Sequence, residues 1–164
     1  MRVLRFVALV ALGIWVGGMV TLGALVAPVA FATVETGRIE GGRALVGVLF
    51  GAFLHRFQWV ALAAAAAVFA SLAGRRLIGP RPVHFGARVV LLATMLAATL
   101  YSGFVLTGQV ERIQREVGVP SLTLPDGDPV RAEFNRLHGL SIALMGFNVV
   151  GGLVLLGWEA TERT

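Results

Sequence analysis

The run RALVGVLFGAFLHRFQWVALAAAAAVFASLAG, residues 43–74, decides how this chain folds. Its two apolar flanks are each too short to cross a bilayer alone, and His55, Arg56 and Gln58 part them. Joined as one helix, about 30 residues rising 1.5 Å each reach ~45 Å, the thickness of a bilayer with its headgroups. Ala61–Ala67 is almost unbroken alanine, which favours helix and lets neighbouring helices come close. The reading is one crossing helix whose polar interruption sits in the half nearer its start.

Three more apolar blocks flank this one. Val3–Ala32 holds a single charge, Arg5. A secretory signal competes for this block, but the stretch is too long and no cleavage site precedes a soluble domain. The third block ends near Thr107 and the fourth near Trp158. Helices are predicted over 3–32, 43–74, 84–107 and 133–158, forming one all-α, integral membrane four-helix bundle across residues 1–164. The blocks are too long and continuous for the ~10-residue alternating strands of a membrane barrel.

Composition agrees. The chain is 57% hydrophobic and 14% charged, with a mean hydropathy of +0.82. Soluble domains are roughly 45–50% apolar and about 25% charged. No cysteine is present, which removes disulfides and thiolate chemistry. The net charge is +5, and every basic residue is an arginine. Most arginines border the apolar blocks, a pattern of membrane anchoring rather than nucleic-acid binding.

Arginine placement gives an orientation. Four spans put Arg2, Arg5, Arg75, Arg76, Arg81, Arg88 and Arg163 on one side. Arg38, Arg43, Arg112, Arg115, Arg131 and Arg136 fall on the other, with most of the acids. The compact Arg75–Arg88 cluster places both termini in the cytoplasm of a bacterial cell membrane. Arg88 is expected to snorkel to the interface, and Trp158 and Trp15 to sit at headgroup level. Pro28 should kink or stop the first helix, and Asp126-Gly127 reads as a tight turn before Asp128-Pro129. The glycine steps Gly13/Gly17 and Gly47/Gly51 are expected to pack within the bundle, with a dimer interface as the alternative.

The polar residues inside the spans are the candidates for a site. His55, Tyr101 and His138 all fall in the half away from the termini. Gly47, Gly51, His55 and Gln58 fall near one face of the second helix, His138, Ser141, Met145, Asn148 and Gly152 near one face of the fourth, and Thr94 lies on the third. Paired imidazoles from His55 and His138 would suit haem iron or a transition metal, while the plainer reading is helix-to-helix hydrogen bonding. Arg56 would cost about 3 kcal/mol in the spanning region, so an acceptor such as Glu35, Glu111 or Glu133 is expected for it. No Walker loop, paired-histidine protease helix, dinucleotide fingerprint or serine triad stands out.

Phe134-Asn135-Arg136-Leu137-His138-Gly139-Leu140-Ser141 resembles the last-helix motif of the transmembrane protein 205-like family. Trp15-Val16-Gly17-Gly18 with Pro28-Val29-Ala30-Phe31 is similar to its first-helix pattern. Tyr101-Ser102-Gly103-Phe104-Val105-Leu106 followed by Glu111-Arg112 is similar to its third-helix end. Thr107-Gly108 stands where that family often has proline, and Met145 where it often has asparagine. The resemblance adds Asn135 to the polar candidates and implies four membrane helices with no established reaction. The expected role is a noncatalytic membrane protein that packs with a second copy or another membrane protein in the lipid bilayer. The alternatives are a small ion or solute transporter and a haem or metal protein.

Overall fold

The computed structural model describes residues 2–79, 82–117, 124–125 and 127–162, with only the main chain for 114–117. Helix α1 runs Arg2–Val20, passes through a wide turn at Thr21–Val26 and continues as Ala27–Thr36. Helix α2 is Gly42–Ile78. Helix α3 runs Phe85–Leu100, widens at Tyr101–Leu106 and continues as Thr107–Val117. Helix α4 is Pro129–Thr161. Arg43–Gly74 is thus uninterrupted helix, as expected. The helices extend beyond the predicted bounds, except at the start of α3, which begins at Phe85 after His84, because their polar ends, such as Thr107–Val117, keep a helical pattern past the apolar stretch. Asp128, extended before Pro129, caps α4 by accepting from the Val130 N–H at 2.8 Å. Pro80, Arg81, Asp126 and Arg163 lie outside the described residues.

In ring order the helices pack α1–α2–α3–α4, with α1 also against α4. The helix ends at Arg2, Ile78, Phe85 and Thr161 lie together at the end nearest the termini, and those at Thr36, Gly42, Val117 and Pro129 at the opposite, far end. All four helices are long and apolar enough to cross a membrane, yet only 22–33% of each span's most apolar window is buried. Val10, Ile14, Val48, Val90 and Val150 face outward, a surface suited to hydrocarbon and unsuited to water.

Leu12, Trp15, Val68, Leu72, Leu92, Met95 and Leu155 fill the centre. Trp15 is therefore a core residue rather than a headgroup anchor, since it faces the neighbouring helices from the middle of α1. Glycine brings α1 and α4 together: a Cβ on Gly152 would collide with the Val16 side chain. Gly13, Gly17, Gly47 and Gly51, by contrast, have open space where a Cβ would be, so neither step packs inside the chain. The periodicity that puts Trp15 and Val16 inward turns Gly13 and Gly17 outward.

The wide turns have a shared form. In each, a helical N–H bonds five residues back: Ala27 to the Leu22 carbonyl, and Thr107 to the Ser102 carbonyl. In α1 the turn sits just before Pro28, whose ring would otherwise press on the preceding turn. Pro28 neither stops the helix nor ends the span. In α3 the Thr107 hydroxyl donates to the same Ser102 carbonyl at 3.1 Å, which holds the turn without proline.

Candidate functional site

Each wide turn carries glycine in third position, and each glycine receives a side chain from the adjacent helix. A Cβ on Gly23 would lie 2.6 Å from Met145 Cε, and one on Gly103 would overlap the Gln58 amide. Gln58 thereby reaches α3 and donates to the Thr99 carbonyl at 3.0 Å. Asn148, buried on α4, donates to Thr99 Oγ1 at 3.1 Å, and Thr99 in turn donates to the Met95 carbonyl at 2.9 Å. Ser102 and Ser141 share a hydrogen bond at 3.3 Å. The polar ladder Gln58–Thr99–Asn148, with Ser102–Ser141, ties α2, α3 and α4 together. Among the described residues, the side-chain atoms Asn148 Oδ1, Trp15 Nε1 and Arg88 Nε are buried without a hydrogen-bond partner.

The other candidates turn away from this ladder. His55 and His138 are both exposed, on the diagonal helices α2 and α4, so the structure does not bring the two imidazoles together. His138 stacks on Phe134, ring centroids 5.9 Å apart, and Ser141 pairs with Ser102 instead of His138. Tyr101 and Asn135 are exposed. Among the described residues no three His, Asp or Glu side chains are grouped to hold a metal. Arg56 is also exposed and has no described acceptor; Glu35 pairs with Arg43 and Glu133 with Arg136. Among the described residues the expected interior ion pair is not formed, because Arg56 lies on the exposed flank of α2 beside α1, with Phe53, Phe57 and Val60. Gln58 and Asn148 face the core while His55, Arg56 and His138 face out, so these five do not surround one path through the chain.

The strongest electrostatics lie at the termini end, which sequence reasoning missed. Arg88 is buried and pairs with Glu159 and, at 3.0 Å, with Glu162. Arg75, also buried, holds Glu159 at 2.7 Å and Glu162 at 2.5 Å. Arg88 Nη2 donates to the Trp158 carbonyl at 2.9 Å, and Arg5 Nη2 to the Ala160 carbonyl at 2.9 Å. Arg88 therefore does not snorkel: two acids at the end of α4 supply its counter-charge inside the protein. The available signal was two acids following the last apolar block, at the membrane face that already held Arg75 and Arg88.

Burial pushes the Glu162 carboxyl up, but hydrogen bonds from Arg75 and the Val83 N–H and the charges of Arg88 and Arg75 outweigh it. The net effect holds Glu162 below the usual carboxylate range. A depressed folded-state value stabilises the fold above the unfolded carboxylate range, and that contribution is lost as pH falls through the folded value. Thermal unfolding in detergent should therefore drop on acidification below the ordinary carboxylate range, with a shallower acid slope in Glu162→Gln. Equal slopes for the two proteins would refute the assignment.

No curated protein and no solved structure matches this chain. A family model, described as a domain of unknown function (DUF4149), matches residues 10–118. That match takes in α2, α3, both wide turns and most of α1, and stops before α4. It covers more than half of the sequence, and the chain belongs to the DUF4149 family.

Proposed function

We propose that this is a noncatalytic membrane protein whose role is assembly within the bilayer, with a second copy of itself as the simplest partner. The observation that supports it is an apolar hairpin standing beyond the level where the other two helices turn polar. Measured from the charge cluster, a rise of roughly 28 Å along each helix reaches Ala24 on α1 from Arg5, Arg56 on α2 from Arg75, Thr107 on α3 from Arg88 and Leu140 on α4 from Glu159. A hydrocarbon layer of ~30 Å fits between these levels. Past them α3 continues as TGQVERIQREV, and α4 approaches through PVRAEFNRLHG. The α1–α2 hairpin stays apolar there, and Leu25, Val29, Leu45, Val48, Leu49 and Phe53 are exposed. Its Gly47/Gly51 step faces out and would let a second backbone approach.

Further readings accompany this one. The resemblance of residues 134–141 supports kinship with the transmembrane protein 205-like family, although that motif lies outside the matched stretch. The arginines at the termini end support a cytoplasmic placement of both termini in a bacterial cell membrane.

Single-molecule photobleaching in liposomes at decreasing protein-to-lipid ratio tests assembly. The wild type should persist as oligomers, and Gly47→Leu or Val48→Glu should shift it to monomers, with a circular-dichroism spectrum like that of the wild type. Wild-type monomers at every ratio would overturn the reading.

A further inference from the structure

An open cleft of about 420 Å³ lies between α1 and α2 on the lipid-facing surface. Gly18, Thr21, Leu22, Phe53, Arg56, Phe57 and Val60 line it. Its walls are almost wholly apolar, and Arg56 is its only charged residue. Cleft volumes of roughly 300–1,000 Å³ are typical of sites that hold small molecules.

The shape depends on glycine and on the wide turn of α1. A Cβ on Gly18 would overlap the Phe57 ring, so glycine lets Phe57 lie against α1 as one wall. Thr21 and Leu22 begin the wide turn. Arg56 and Thr21 both sit near the far hydrocarbon boundary, roughly 28 and 24 Å along their helices from Arg75 and Arg5. Trp59, exposed and edge-on to Phe104, marks the same level as an interfacial aromatic. Val60 and Gly18 lie deeper. The cleft thus has a cationic mouth at headgroup depth and an apolar floor running toward the bilayer centre.

Among the described residues neither the Arg56 guanidinium nor the Thr21 hydroxyl has a hydrogen-bond or charge partner. A cation at this depth is stable only with water or an acceptor, and the cleft lining includes no carboxylate to balance its charge. We propose that the cleft is a binding site for one anionic lipid, its phosphate on Arg56 and Thr21 and one acyl chain along Phe57 and Val60. The lone, acid-free cation favours a net-anionic headgroup over a zwitterionic one. An arginine–phosphate contact adds charge-assisted hydrogen bonds to the chain's packing.

Native mass spectrometry of protein released from nanodiscs containing phosphatidylglycerol and phosphatidylcholine tests this. The wild type should retain one phosphatidylglycerol in preference to phosphatidylcholine. Arg56→Gln should lower that retention about tenfold, as expected for loss of a charged hydrogen bond. Val60→Trp, which fills the floor and keeps the charge, should lower it as well, whereas Arg136→Gln should leave it unchanged. Equal retention in Arg56→Gln overturns the site. Loss in Arg56→Gln with full retention in Val60→Trp also overturns it, because the arginine would then act as a surface charge without the cleft. Preference for phosphatidylcholine, or displacement of the lipid by inorganic phosphate alone, would do the same. Photobleaching of Arg56→Gln separates this from the assembly reading: oligomers should persist while the lipid is lost.

Discussion

Glu159→Ala is expected to lower stability by about 3–5 kcal/mol, the cost of leaving buried charges without their partner. Glu159 is the shared acceptor for Arg75 and Arg88, and all three side chains are nearly inaccessible. Its removal leaves two buried guanidinium groups facing only Glu162, which cannot balance both. Relaxing the end of the bundle to admit water would separate α2, α3 and α4 where they meet. Denaturant titration in mixed micelles, followed by circular dichroism, measures the loss. The charge-free combination Arg75→Met, Arg88→Met, Glu159→Leu, Glu162→Leu should recover much of it, since no ion then remains to be solvated. A Glu159→Ala midpoint equal to that of the wild type would show that the cluster is wet and the pairs weak.

Trp15→Ala comes next, with an expected loss of about 3 kcal/mol, at the low end of the range for large aromatic truncations. The figure is placed low for a reason peculiar to lipid. Apolar groups gain little by leaving hydrocarbon for protein, so the transfer part of the usual cost falls away. What remains is the hole beside Leu12, Met95 and Leu155 and the dispersion attraction that its lining forfeits. Trp15→Phe should be much milder, because it keeps most of the ring and deletes an indole N–H with no partner among the described residues. The same titration distinguishes them. Equal losses for the two variants would mean that Trp15 Nε1 makes a bond to something the protein atoms do not show, such as a buried water.

The sequence made the four spans legible because hydrocarbon demands long apolar stretches with satisfied backbones, and Arg43–Gly74 allowed only one such reading. Facing was harder. His55 and Gln58 share one face of α2, three residues apart, yet Gln58 crosses Gly103 to reach Thr99 while His55, most of a turn nearer the far end, is exposed. Trp15 looked interfacial by residue type, but its place in the middle of α1 and its inward face decided otherwise. Arg88 was read through its length and flexibility, and its environment came from Glu159, far along the chain. The wide turns at Thr21–Val26 and Tyr101–Leu106 had only Pro28 as a local signal. Thr107 replaces proline chemistry with a hydroxyl bond, which hydropathy cannot register.

Chain order gives the charge cluster a temporal side. Arg75 and Arg88 are synthesised well before Glu159 and Glu162, so the first three helices reach the bilayer carrying cations that have no internal counter-charge. Until α4 arrives, those arginines must stay in contact with water or lipid phosphate, and the end of the bundle cannot close. The counter-charge that closes this end arrives only with the last helix. A chain halted before Glu159 would leave Arg75 and Arg88 without these acids at the boundary of the hydrocarbon.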